Sequence, residues 1–438
     1  MLARGRIAFA LLTVVSVLGI LASIPGSDAQ PAPEVTISTG DTAWMLTATG
    51  LVLLMTPGLS FFYGGMVRPK NVVSTMLQSF VSMGAISLVW IVVGFSLAFG
   101  DTVGGVIGRP DTFFMFGGVE GVFGEQTIPM ALFALFQLKF AIITPALITG
   151  AFAERVRFTS YLTFMILFSL FIYAPLAHMT WHPDGLLALA GVKDFAGGTV
   201  VHMSAGYAAL AGAFVLGPRR GLDGDGGHEP ANIAFVLLGT GMLWFGWFGF
   251  NAGSALAADA AAANAFLTTN TASAAAMMAW ILFDMVQGKK PSAMGACIGA
   301  VVGLVAITPG AGFVSVGASL AIGFISAIIS NVAVHLRTRS SLDDTLDVFP
   351  CHGVGGISGM VLTAVFATDG GVVTGELGLF GVHMVALIGV SIFAFGGSWV
   401  LFKLTDLLIP LRVEPGDEDT GLDLSQHDEQ AWVAELQA

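Results

Sequence analysis

The sequence predicts an all-α polytopic membrane protein with eleven transmembrane helices, and three observations predict it. Apolar stretches of about twenty residues follow one another along the chain, each long enough to cross a hydrocarbon core of roughly 30 Å. Of the 438 residues 55% are hydrophobic and only 11% charged, with a mean hydropathy of +0.83; soluble domains carry about 25% charged residues. Finally, the basic residues alternate between successive loops, as cytoplasmic and external loops do. A β-barrel would show short alternating segments in place of these long runs.

In chain order, residues 1–29 read as a cleaved signal peptide. Arg4 and Arg6 precede the apolar run 7–24, and Ser27-Asp28-Ala29 offers small residues at a cleavage site. Pro31 and Pro33 break any helix beyond it. The competing reading is an uncleaved first transmembrane helix. A transmembrane domain then occupies 30–410, with spans expected near 42–66, 71–99, 128–152, 157–180, 195–216, 231–254, 262–286, 292–308, 313–336, 352–368 and 380–409. Residues 411–438 form a cytoplasmic tail holding eight acidic residues, so much of the net charge of −12 is a solvated face. It says little about substrate. Cys297 and Cys351 both lie in or beside apolar segments and read as packing residues rather than a disulfide framework.

The odd-numbered loops hold Arg68 and Lys70, Arg155 and Arg157, Arg219 and Arg220, Lys289 and Lys290, and Arg337 and Arg339. The even-numbered loops hold only Arg109 and Lys193. Basic residues stay in the cytoplasm, which predicts a multi-pass protein of the cell inner membrane with its mature N-terminus outside and its C-terminus inside. Two stretches break the apolar pattern: Asp194 to His202 and Asp347 to His352. Ionisable groups at bilayer depth are costly and mark pathways, ligands or paired partners. Span five runs inward from Asp194 and span ten outward from Asp347. Five spans is an odd number, which inverts the second half relative to the first, so a five-plus-five inverted repeat is expected, with its site near the midplane.

Once orientation is fixed, several aromatics fall in the outer half: Trp181 at the end of span four, and Trp247, Phe250 and Ser254 in span six, with Phe140 near the middle of span three. Aromatic faces attract desolvated cations, and a serine hydroxyl accepts a hydrogen bond from a protonated amine. Taken singly, Trp181 is an interfacial anchor and the phenylalanines are packing residues; only as a set do they describe a path. A lone membrane histidine is usually an interhelical hydrogen-bond partner. Two at opposed ends of an inverted repeat can share a proton and contact a polar solute. Asp194 stands about 80° around the helix from His202, where it can satisfy backbone or hydroxyl donors. The glycines beside the histidines read as close-packing residues. Lys139 is the one Lys or Arg well inside a span, with no partner evident from the sequence.

At these residues the chain resembles the Amt ammonium transporter family. The resemblance rests on Phe62-Tyr63-Gly64-Gly65-Met66-Val67-Arg68, Phe136-Gln137-Leu138-Lys139-Phe140, Ala177-His178-Met179-Thr180-Trp181, Asp194 through His202, Trp247-Phe248-Gly249-Phe250-Asn251-Ala252-Gly253-Ser254, and Asp347-Val348-Phe349-Pro350-Cys351-His352-Gly353-Val354-Gly355-Gly356. It covers most of the chain from 42 to about 412. It implies a homotrimer with one substrate path per subunit. Trp181, Phe140 and Ser254 would recruit ammonium, Phe140 and Phe250 would gate it, and His202, His352 and Trp247 would line the pore, with Asp194 a structural carboxylate. No cofactor or metal is implied. The tail resembles the family's regulatory tail, with Ala431-Trp432 where an Ala-Tyr pair is usual, and in similar proteins PII signalling proteins block the cytoplasmic face.

The function expected is therefore ammonium transport: recruitment as a cation outside, then conduction past two histidines after deprotonation. The main competitor is an ammonium sensor with little flux; the 27 residues after Leu411 are fewer than a signalling domain needs. An ion-coupled transporter of another solute would call for midplane carboxylates. An enzyme is disfavoured because no nucleophile, metal cluster or phosphate loop appears.

Overall fold

The computed structural model describes residues 9–18, 36–221 and 229–432. The cleavage site expected near Ala29 lies outside the described residues; Phe9–Leu18 is a short apolar helix. Backbone polar groups in lipid must be satisfied within the segment, which leaves helices as the way for these runs to cross.

Among the described residues, ten helices are long and apolar enough to span a membrane. They are α1 (Thr39–Met66), α2 (Pro69–Phe99), α3 (Met130–Ala151), α4 (Phe158–Leu189), α5 (Gly198–Leu216), α6 (Ile233–Gly253), α7 (Ala260–Val286), α9 (Val316–Thr338), α10 (Phe349–Phe366) and α11 (Gly378–Leu408). Between α7 and α9 lies α8 (Ala293–Ile307), whose 15 residues reach only about 22 Å. It fills the remaining expected span near 292–308. Local chemistry starts these helices where the apolar runs begin. Ser38, Asn232, Asp259, Ser292 and Ser315 each accept a hydrogen bond from the first-turn backbone of α1, α6, α7, α8 and α9. A two-stranded hairpin, Thr102–Val103 with Ile107–Gly108, follows α2.

Two short tail helices, α12 (Pro415–Thr420) and α13 (Leu422–His427), pack back onto the bundle. Buried Glu418 accepts from the Arg220 backbone at 2.6 Å and pairs with Arg412 at 2.8 Å. Asp423 accepts from the Ser74 backbone, and Gln426 from that of Phe158. The tail thus ties together the starts of α2 and α4 and the loop after α5. The basic loop residues Arg68, Arg155, Arg219 and Arg337 gather with it at one end of the bundle, opposite Trp181 and Ser254.

Where α5 and α10 begin, the regular helix widens into π-turns, at Gly198–Met203 and Phe349–Gly353. Such turns are rare and cluster at functional sites; these two carry His202 and His352. The backbones of α5 and α10 cross at Gly206 against Gly353, where a Cβ on Gly206 would collide with the facing main chain. Only glycine permits that approach, and it brings the two histidines together. Cys297 and Cys351 are free and buried, as packing residues would be.

Candidate functional site

Asp194 sets the start of α5. Its Oδ1 accepts from the Gly197 and Gly198 backbone at 2.9 and 2.6 Å, and its Oδ2 from Thr199 N at 2.7 Å and from the Thr199 hydroxyl. Gly197 stands at φ +118°, a conformation that turns the chain into the helix and that other residues rarely adopt. One carboxylate therefore takes up three backbone donors and a hydroxyl at a helix start buried in the protein. The corresponding residue before His352 is not Asp347, as the sequence suggested, but Asp344. Its oxygens accept from Val348 N at 3.0 Å and Phe349 N at 2.7 Å. Asp347 instead adopts φ +57° and pairs with Arg337 at 2.7 Å. Asp344 stands eight residues before His352, the spacing of Asp194 to His202. Because α9 ends at the basic end and α4 at the other, the two caps sit at opposite ends of the bundle.

The aromatics that the sequence scattered over three helices meet in space. Trp181 donates its indole N–H to the Asp194 carbonyl at 3.1 Å. Its ring meets the Phe140 ring edge-on at 5.9 Å, and Phe140 lies 4.1 Å from Phe250. Trp181, Phe140 and Ser254 line a cavity of about 500 Å³ that opens at this aromatic end. Beyond the Phe140–Phe250 pair the space narrows to about 10 Å³, bounded by Val201, His202, Leu243, Trp247, Phe250 and His352. That is at the margin of what holds a single water, and apart from the two imidazoles and one indole its walls are apolar.

His202 and His352 face each other across this passage, Nδ1 to Nδ1 at 3.3 Å, with rings 5.4 Å apart. Trp247 stacks on His202 at 5.3 Å and is held by its own N–H on Thr308 Oγ1 at 2.9 Å. In neutral imidazoles one Nδ1 must donate to the other, so the rings adopt opposite tautomers. One Nε2 is then an acceptor and the other a donor. The Nε2 of His202 is buried with no hydrogen-bond partner among the described residues.

The basic end holds a separate cavity of about 460 Å³ lined by Arg68, Arg219, Arg220, Arg337 and Asp347. Glu154, buried behind it, accepts from the Arg68 backbone at 2.7 Å and pairs with Arg219 at 3.2 Å. Asp343 takes two further bonds of 2.9 Å from the Arg219 guanidinium. Burial alone would raise both carboxyls, but these guanidiniums hold Glu154 and Asp343 below the usual carboxylate range. Arg155, fully buried, is lowered to about 10 by burial while it donates to Ala151 O, Asp343 O and the Thr345 hydroxyl. Sequence reasoning placed these arginines in loops and missed their carboxylate partners. Asp344 and Thr308 were missed as well, although the repeated spacing of eight was a signal for Asp344. Lys139 is buried in α3 and forms no hydrogen bond or ion pair with the described residues.

A multi-span membrane protein with an aromatic cavity leading through a constriction to a narrow, mostly apolar passage belongs to the class that passes small solutes. Comparison with known proteins makes this specific. Residues 43–432 match the sequence model of the Ammonium Transporter Family. A putative ammonium transporter of Methanothermobacter thermautotrophicus is 44% identical over 90% of this chain and 99% of its own length. An ammonium transporter of Bacillus subtilis is 43% identical over 90% and 98%. Among solved structures, Mep2 of Saccharomyces cerevisiae superimposes with a TM-score of 0.82 at 31% identity, covering 87% of this chain and 89% of that one. A protein described as a sensor Amt protein does so with a TM-score of 0.83 at 31% identity, over 89% and 98%. This chain belongs to the Ammonium Transporter Family.

Proposed function

We propose that the protein conducts ammonium across the cell inner membrane, taking the cation at its external, aromatic end and passing it on as neutral ammonia. The observation that carries this reading is the near-dry passage between the Phe140–Phe250 pair and the two histidines. An unpaired ion in such a space meets a desolvation penalty that no wall residue offsets. Potassium and sodium have no way around it. Ammonium does, because it can leave a proton behind and cross uncharged.

Trp181 and Phe140 offer aromatic faces to the arriving cation, and Ser254 offers an oxygen. The Ser254 hydroxyl already donates to Phe250 O at 2.8 Å, which leaves its lone pairs free to accept an N–H. Phe140 and Phe250 form the gate beneath, and Trp247, His202 and His352 line the pore. With opposite tautomers, the two imidazoles present one acceptor and one donor to ammonia, and exchange of the shared proton provides a relay. In this scheme Asp194 supports the entrance through the backbone of α5. The working assembly is a homotrimer, and a PII-family signalling protein docks at the cytoplasmic, basic end.

Purified protein in liposomes under an ammonium gradient tests the reading, with flux and current recorded together. Ammonium-dependent flux is expected, and His202→Ala should change ion selectivity or the coupling of current to flux. Unchanged transport and selectivity in that variant would remove His202 from the mechanism. Similarity to the sensor Amt protein keeps a second reading, ammonium sensing with little flux; folded protein that binds ammonium without moving it would favour that one.

A further inference from the structure

The external cavity holds more acceptors than the recruitment set uses. Gln126, Thr127 and Gln137 line it beside Trp181, Phe140 and Ser254. Gln137 is only 8% exposed. Its Oε1 and that of Gln126 are both buried with no hydrogen-bond partner among the described residues. Buried amide oxygens are nearly always satisfied, so a pair of orphans lining one cavity points to a donor that comes and goes. Position supports this. Gln137 stands three residues before Phe140 on α3, on the same helical face and one turn nearer the cavity mouth.

We infer that Gln137 is a specificity-determining ligand of the recruited cation, accepting an N–H from ammonium before it reaches the Phe140–Phe250 gate, with Gln126 the second acceptor lining the same cavity. The inference rests on the transport reading above and deepens it. Ammonium presents four N–H donors in a tetrahedron. Ser254 Oγ takes one, Gln137 Oε1 another, and the rings of Trp181 and Phe140 face the rest. A metal cation of similar size lacks directed donors and gains less from two oxygens and two aromatic faces. The amide suits the task because its oxygen attracts the cation without a full charge that would trap it.

The test compares wild type, Gln137→Leu and Gln137→Glu in liposomes. Leucine keeps the bulk and removes the acceptor, and should raise the half-saturating ammonium concentration about tenfold, the cost of one hydrogen bond to a charged group. Maximal current should fall by less than that concentration rises. Glutamate keeps an acceptor and adds charge, and should lower the half-saturating concentration while letting potassium compete. A wild-type half-saturating concentration in Gln137→Leu overturns the inference, as does a loss of maximal current alone in both variants. Should the leucine variant not fold, the glutamate variant decides by the same concentration: lowered supports, unchanged overturns. If wild type shows no ammonium signal, the transport reading fails first. Methylammonium binding to the same variants by calorimetry then tests Gln137 on its own, and equal affinity in wild type and Gln137→Leu rejects it.

Discussion

The helix starts at α5 and α10 solve one problem with unequal means. Each buries a carboxylate eight residues before a histidine, opens its first turns as a π-helix, and aims the imidazole at the other. Asp194 takes three backbone N–H groups and a hydroxyl, in a setting of glycines and aromatics. Asp344 takes two backbone N–H groups and stands next in sequence to Asp343, the hub of the arginine network. The first start is held by one side chain acting alone, the second by a cap embedded in paired charges. A helix bordering an open cavity relies on local capping; one at the charged end can share the load with neighbouring loops.

If that division holds, the largest loss should come from the shared network. Arg219→Met leaves Asp343 and Glu154, both buried, short of a cation each. Stranding buried charge costs about 3–5 kcal/mol, and the thermal midpoint of the purified protein should fall most in this variant. A midpoint like that of wild type would mean the network is not what supports α10.

The next largest effect falls on the other side of the comparison. Asp194→Ala orphans three N–H groups and a hydroxyl, at about 1–3 kcal/mol for each buried donor left unpaired. Water entering from the cavity offsets part of it, giving a net loss of roughly 3 kcal/mol. Asp194→Asn keeps an acceptor and should recover more than half. Asp344→Ala orphans only two donors and should cost roughly 2 kcal/mol by the same reasoning. Denaturant unfolding of the three variants ranks them, and a larger loss in Asp344→Ala than in Asp194→Ala would reverse the comparison.

Much of this was legible in the sequence. The spans near 42–66, 71–99 and 231–254 correspond closely to Thr39–Met66, Pro69–Phe99 and Ile233–Gly253, because a lipid-crossing helix advertises itself by length and hydropathy alone. The histidines stood out because ionisable groups are rare in such runs. What hid was whatever depends on contact. Asp347 looked like the partner of His352 by proximity, yet Asp344 holds the cap, since capping follows helix geometry rather than nearness in sequence. The π-turns left no hydropathy signal. Glu154 and Asp343 are loop acids by sequence, and only folding buries them beside Arg68 and Arg219.

The smallest expected effect concerns pH and again separates the two ends. Glu154 and Asp343 have folded-state pKa values below their unfolded ones. The stability they contribute is therefore complete above about pH 4.5 and is lost as pH falls through the lowered values. Asp344 runs the other way: burial raises its pKa despite its hydrogen bonds to Phe349 and Val348. Its linkage contribution is present below the unfolded value near 3.8 and fades as pH climbs through the raised one. The Glu154–Asp343 pair therefore loses stability in acid, while Asp347, raised by burial to about 7, and buried Asp423 side with Asp344 and offset part of that loss. The thermal midpoint should drop between pH 5 and pH 3 by about a few degrees per kcal/mol lost. Asp343→Asn, which cannot titrate, should flatten that drop while lowering the midpoint at neutral pH. An equally steep acid decline in Asp343→Asn would locate the sensitivity outside the arginine network and leave the two helix starts more alike than their caps suggest.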